Sequence, residues 1–339
     1  MDKSPRQRMI DTLWGRGERV PVAYWHTPGC PPLPGLEGAA ALCAAGLTRI
    51  EHPHCAITRA PVSRGGVTST ASVLHTPDGR LTQECYPDPD SGLPVIHKHF
   101  VTRPAHYGPL LSYLRDARVA PDYRPYMQAD EALGELGLPV VSSLPTPLAH
   151  LAARFRDARE LASDRQADTG AVRQCIHHLR RLFREQTGAL VAARESAPFA
   201  AVMVPDALDA QLLSDEDFGK YYLPRYRELH AALPDAAVMV EAAGRVADDW
   251  EFPAAGCLML PADAGLSPGE ALAAWPGRSV LVTLPRELLL GPPGQVTETV
   301  AALAALPGAS ARLAVAMPPG LSADVLIRRV PAALAGAES

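Results

Sequence analysis

From the middle of the chain onward, short apolar or β-branched runs alternate with longer segments whose apolar positions recur every three to four residues, the pattern of parallel βα units. The runs expected to be strands are VPVAYW from Val20, LTRIEH from Leu47, PVVSSL from Pro139, FAAVMVP from Phe199, AVMVEA from Ala237, CLMLPA from Cys257, SVLVTL from Ser279 and LAVAMP from Leu313. Their number is that of the (β/α)8 TIM barrel, so the predicted fold class is an α/β barrel, with a single domain over 1–339. The same pattern predicts helices over 147–163, 171–195 and 214–233, the last opening on the capping run Ser214-Asp215-Glu216-Asp217, and near 268–275, 294–306 and 322–334.

One region breaks the alternation, from about 61 to 130. The stretch GGVTSTASVLHTPDGRLTQECYPDP reads as a β-hairpin with Pro77-Asp78-Gly79 at its turn, and IHKHFV as a further strand. It is expected to be an insertion after strand 2 that forms a lid over the barrel mouth, because long elaborated loops in compact domains tend to be functional.

Composition narrows the class. A chain of 339 residues that is 47% hydrophobic can bury a large core. Its net charge of −5 and its 32 scattered basic residues argue against a nucleic-acid or anionic-membrane partner. The N-terminal stretch is charged and amphipathic, and no later run reaches about 18 uninterrupted apolar residues. A cytoplasmic protein acting on a small molecule is the expectation. The six cysteines are widely spaced without a C-x-x-C pair, which predicts reduced thiols.

In a (β/α)8 barrel the chemistry sits at the C-terminal ends of the strands, so the strand assignment becomes a site assignment. At those ends stand Tyr24, Trp25 and His26, then Asp206, Glu241, Asp263, Arg245 and Arg286. Glu241 closes the run AAVMVEAAG, and a carboxylate ending an otherwise apolar central strand needs a partner or a raised pKa. Asp206 and Asp263 are candidate acid/base groups by the same logic, although aspartate also serves as a helix cap or turn residue. His26, in YWHTPG, and its aromatic neighbours Tyr24 and Trp25 suit a substrate pocket. His97 and His99, at i, i+2 spacing in IHKHF, would project from one face of a strand, where they can supply two metal ligands, contact substrate or simply stand exposed. Cys257, at the start of its strand, is most simply a small core residue.

The segments that define the barrel also resemble the uroporphyrinogen decarboxylase superfamily, which includes the heme-pathway decarboxylase and the corrinoid and thiol methyltransferases. RQRMIDTLWGRGERVPVAYW is similar to the superfamily's opening helix and Arg-x-Pro-Val strand, and VLHTPDGRLTQE with IHKHFV to the TP-x-G region of its methyltransferase branch. SDEDFGKYYLPRYRELHAAL resembles its S-P-E-x-F…P helix, and TLPRELLLGPPGQVTETVAAL its N-I-D-P-x-x-L-L-x-G-T-P-E-E-V segment.

The functional positions of that family are altered. Where the thiol methyltransferases carry His-x-Cys-Gly for zinc, this chain reads Glu241-Ala242-Ala243-Gly244, and in place of their last cysteine it reads Met317-Pro318-Pro319-Gly320. Alanine cannot coordinate and a thioether does not replace a thiolate. The decarboxylase's Arg-Gln-Ala-Gly-Arg is replaced by Trp25-His26-Thr27-Pro28-Gly29, which removes the clamp for a polyanionic tetrapyrrole. The resemblance implies a homodimer and methyl transfer to or from a small molecule or a corrinoid protein. Its cofactor is either a zinc rebuilt from Glu241, Cys257 and His26, a corrinoid on a partner, or none. Two alternatives stay open: metal-free decarboxylation of a small carboxylated metabolite held by Arg286 or Arg245, and a ligand-binding barrel without catalysis.

Overall fold

Closing a parallel sheet on itself gives every strand two buried faces, which is why the strand-forming runs of this chain are apolar throughout instead of alternating with polar residues. The computed structural model describes residues 3–64, 67–88, 94–167, 170–247, 250–252, 256–262 and 265–338. It contains a closed, all-parallel barrel of β1 (Val22–Trp25), β2 (Ala40–Ala45), β3 (Gly137–Ser142), β4 (Ala201–Leu208), β5 (Ala237–Ala242), β6 (Gly256–Pro261), β7 (Ser279–Thr283) and β8 (Leu313–Met317). Each strand pairs with its neighbours in chain order, and β1 closes the ring against β8. The fold is the (β/α)8 TIM barrel expected from the strand runs.

Side-chain size explains how the interior fills. The inward residues alternate small with large: Ala23, Ala40, Ala201, Ala237 and Ala314 share the core with Leu42, Leu138, Met239, Met259 and Leu281. Met9 and Leu13 of the helix Pro5–Leu13 join this cluster, and the Ser279 hydroxyl donates to the Leu13 carbonyl at 3.1 Å, fixing that helix to the barrel. The residues between the inward ones, such as Val202, Val238, Val280 and Val315, are equally buried on the other face.

The second strand corrects the sequence reading. Ala40–Ala45, AALCAA, lies in the barrel, whereas the run from Leu47 supplies Thr48–Glu51, which pairs antiparallel with Arg118–Pro121. AALCAA has no β-branched residue to mark it as a strand, but its alanines fit a crowded interior. Thr48–Glu51 alternates between half-buried and exposed, so it lacks the two buried faces a barrel strand requires.

The chain packs as two compact units, one of residues 1–47, 122–143 and 190–339, the other of 48–121 and 144–189. The first holds the barrel. The first segment of the second unit, 48–121, begins and ends before the 61–130 insertion read from the sequence, and the unit also takes in 144–189. It contains an antiparallel sheet in the order Ala56–Arg64, Val67–Thr76, Gly79–Pro87 and Pro94–Lys98. The hairpin turn falls where Pro77-Asp78-Gly79 predicts, with Gly79 at φ 134° and the Thr76 hydroxyl accepting from the Asp78 N–H. The helix expected over 147–163 is broken into Pro147–Arg154 and Ala158–Gln166. Asp157 caps the second piece, and Arg156, in the break, is buried against Asp164, which also accepts from the Tyr107 hydroxyl at 2.6 Å. A third helix, 214–233 in the sequence reading, contains one π turn at Phe218–Tyr222 before Leu223–Ala232, where Pro224 lacks the N–H that a regular helix would use. No helix among the described residues is long and apolar enough to cross a membrane.

Gly137 starts β3 directly opposite Ala41, and a Cβ there would collide with the Ala41 carbonyl. Because backbone must move to relieve that collision, Gly137→Ala is expected to destabilise the protein by roughly 1–3 kcal/mol. Urea unfolding measures this, and an unchanged midpoint would show that β2 and β3 are not packed as described.

Candidate active site

Barrel register decides which side chains reach the mouth. Two residues beyond the core positions Ala23, Ala201, Met239, Cys257 and Leu281, on the same face of each strand, come Trp25, Met203, Glu241, Met259 and Thr283. Together with Ala44, Pro261 and Pro319 they wall a cavity of about 350 Å³ at the C-terminal ends of the strands. That volume lies within the range of small-molecule sites.

Among the described residues lining this cavity, Glu241 is the only acidic or basic one. It sits opposite Met259 in the β5–β6 pairing, and among the described residues nothing hydrogen-bonds or ion-pairs with its carboxyl. Burial is the cause that raises its pKa above the ordinary glutamate value. An apolar wall favours the neutral acid over the carboxylate, and a neutral carboxylic acid is a proton donor.

The end of β5 is held rigidly. The Ala243 and Gly244 N–H groups donate to the Leu208 carbonyl, and Ala210 donates to the Arg245 carbonyl, joining the loops after β4 and β5. Gly244 is required by the close approach of Asp209: a Cβ would lie 2.6 Å and 2.8 Å from its two carboxylate oxygens. Asp209 cannot simply swing away, because it also accepts the Gln211 N–H at 2.9 Å. The β4 strand bulges between Val204 and Leu208, with Ala207 at φ 48°, a conformation disfavoured outside glycine.

Asp206 lies in that bulge and is buried, accepting a 2.6 Å hydrogen bond from the Tyr226 hydroxyl. Burial first, then the neighbouring Asp206 charge, pushes the Tyr226 phenol well above its ordinary value, so the proton stays on tyrosine. Asp206 does not line the cavity. Its geometry is that of a group anchoring the bulge, in contrast to the acid/base role read from the sequence.

The remaining candidates separate. Trp25 lines the cavity, but Tyr24 is buried with its hydroxyl accepting from the Leu33 N–H at 3.2 Å. The His26 Nε2 lies 2.8 Å from the Cys30 carbonyl oxygen, which ties the ring to the loop after β1. Cys257 belongs to the core layer beneath Met259, where burial pushes its thiol up to about 12. Glu241, His26 and Cys257 are thus not assembled, and no three His, Cys, Asp or Glu side chains cluster to hold a metal among the described residues. The described donor set does not fit zinc. Arg286 donates to the Gly320 carbonyl at 2.7 Å and Arg245 is exposed, and neither lines the cavity. His97, exposed with its ring edge-on to Tyr86, and His99, one residue past the strand Pro94–Lys98, belong to the second unit. Asp263 lies outside the described residues. The sequence reading missed Met203, Met259, Ala44 and Pro319 as lining residues. For the two methionines a signal existed: each stands two positions beyond an inward strand residue.

No family model matches the chain, and no curated protein matches it either. Among solved structures, a methyltransferase from Methanosarcina mazei is similar over 99% of both chains, with a TM-score of 0.57 and 13% sequence identity. A mandelate racemase/muconate lactonizing enzyme-like protein from Rubrobacter xylanophilus covers 86% of this chain and 85% of its own, with 11% identity and a TM-score of 0.25. The first likeness is one of fold, and the second is too weak to support an argument.

The unpartnered carboxyl has a measurable cost. Folded protein holds the Glu241 proton more tightly than the unfolded chain does, so its contribution lowers stability as pH rises from the ordinary glutamate range through the raised value, and the loss persists above it. Glu241→Gln removes that loss. Thermal melts should show the variant more stable than the parent at neutral pH, with the difference fading on acidification; a less stable variant at neutral pH would mean that Glu241 has a partner.

Proposed function

We propose that this barrel is a group-transfer enzyme of the uroporphyrinogen decarboxylase-like superfamily that moves a methyl group from a small molecule in the cavity, with Glu241 as the acidic group beside the departing heteroatom. The observation that carries this reading is the unpaired Glu241 carboxyl in an apolar cavity, at the strand end where the resembling methyltransferases place their zinc-binding motif. The barrel likeness to a methyltransferase supports it at the level of fold.

In the proposed step the bond between the methyl carbon and its heteroatom breaks, and the electron pair remains on the heteroatom. An electron-rich acceptor of the thiolate class supplies the pair for the new bond to carbon. A heteroatom departing from a neutral donor takes the Glu241 proton, and the carboxylate recovers it from solvent; an ammonium donor instead leaves as a neutral amine without a proton, and Glu241 then serves as its carboxylate counter-ion. Trp25, Met203 and Met259 place apolar surface beside the reacting atoms. A corrin macrocycle is larger than this cavity, so a corrinoid methyl carrier would belong to a partner protein. The decarboxylase alternative has less support, because a carboxylate substrate needs a cation and no arginine or lysine is among the described lining residues.

Methyl transfer from a panel of methyl ethers, thioethers and methylated amines to a thiol acceptor or to reduced cobalamin tests the proposal. Glu241→Gln should lower kcat by about 10²–10⁴-fold. With neutral donors the parent's rate should fall as pH rises through the raised Glu241 value, where the proton is lost. Release of carbon dioxide from carboxylated substrates, without methyl transfer from any donor, would overturn this reading.

A further inference from the structure

We infer that the barrel cavity is a recognition site for an N-methylated ammonium group, with Glu241 as its counter-ion and the Trp25 indole as its aromatic wall. The inference rests on the cavity being the functional site, and it specifies the substrate class of the proposed reaction.

Charge is the first argument. Every described lining residue other than Glu241 is neutral, so a cation is the ligand whose charge the site can balance, and an anion would face a carboxyl with nothing to offset it. A cation also supplies what the Glu241 carboxylate lacks among the described residues, an opposite charge beside it in an apolar wall. Its binding is therefore linked to loss of the Glu241 proton.

The walls decide which cation. Ala44, Ala243, Pro261 and Pro319 present no side-chain hydrogen-bond donor, and Thr283 alone among the described lining residues adds a hydroxyl. A primary ammonium or a guanidinium would bring several N–H groups into a site that offers few acceptors. Methyl groups on nitrogen cover the charge with apolar surface that these walls can accommodate. Trp25 contributes the ring type that attracts such a cation best, and the Met203 and Met259 thioethers add polarisable contact. A cavity of about 350 Å³ accepts a group of this size.

Titration calorimetry with choline and with 3,3-dimethylbutan-1-ol, its neutral isostere, tests the inference on the intact chain. Choline is expected to bind at least about tenfold more tightly than the isostere. Its heat of binding below the raised Glu241 value should vary with the ionisation enthalpy of the buffer, as one proton is released. Glu241→Gln, whose fold is checked by its melt, should bring the two ligands to equal affinity, and Trp25→Leu should weaken choline more than the isostere. Equal binding of the two by the parent, binding of neither, or a preference that survives Glu241→Gln would overturn the inference. A choline preference without methyl transfer would retain the recognition and discard the reaction. Methyl transfer from neutral ethers without a choline preference would do the reverse.

Discussion

Holding the Glu241 carboxyl in an apolar cavity without a partner is the constraint around which the barrel mouth is organised. A flexible chain would relieve it by turning the side chain to water or by drawing in a cation. Here the half-buried carboxyl stands on the face of β5 that lines the cavity, and the barrel's closure fixes that face. The loops after β4 and β5 are stitched together by backbone hydrogen bonds, and Gly244 lets Asp209 pack where any side chain would obstruct it. Strain at Ala207 and the buried Asp206–Tyr226 bond belong to the same arrangement, since both fix the neighbouring β4 bulge. Such local costs in one small region are what a preorganised site shows.

Much of the fold was legible because a closed parallel barrel imposes buried runs at regular intervals, and seven of the runs read from the chain fall on barrel strands. The exception is instructive. AALCAA carries no β-forming residue, and only its neighbours' size makes it a strand, which a single sequence does not display. The hairpin at Pro77-Asp78-Gly79 was legible from local turn chemistry alone.

The site was legible in part. Glu241 and Trp25 follow from their positions at strand ends, and both line the cavity. Tyr24 and Cys257 did not follow, because a shift of one residue along a strand sends a side chain to the other face, and a shift of two sends it to another layer of the core. His26 and Arg286 are engaged by backbone carbonyls that no sequence pattern announces.

If the cavity acts as proposed, Glu241 holds its proton above the ordinary glutamate range and yields it when an ammonium ligand binds. Infrared difference spectroscopy of the parent against Glu241→Gln, recorded across pH, observes that carboxyl directly. A protonated carboxyl band that belongs to Glu241 and disappears only above the ordinary glutamate range is the predicted result. A carboxylate band already complete at the ordinary glutamate value would contradict the account, because Glu241 would then be ionised and solvated in the resting protein.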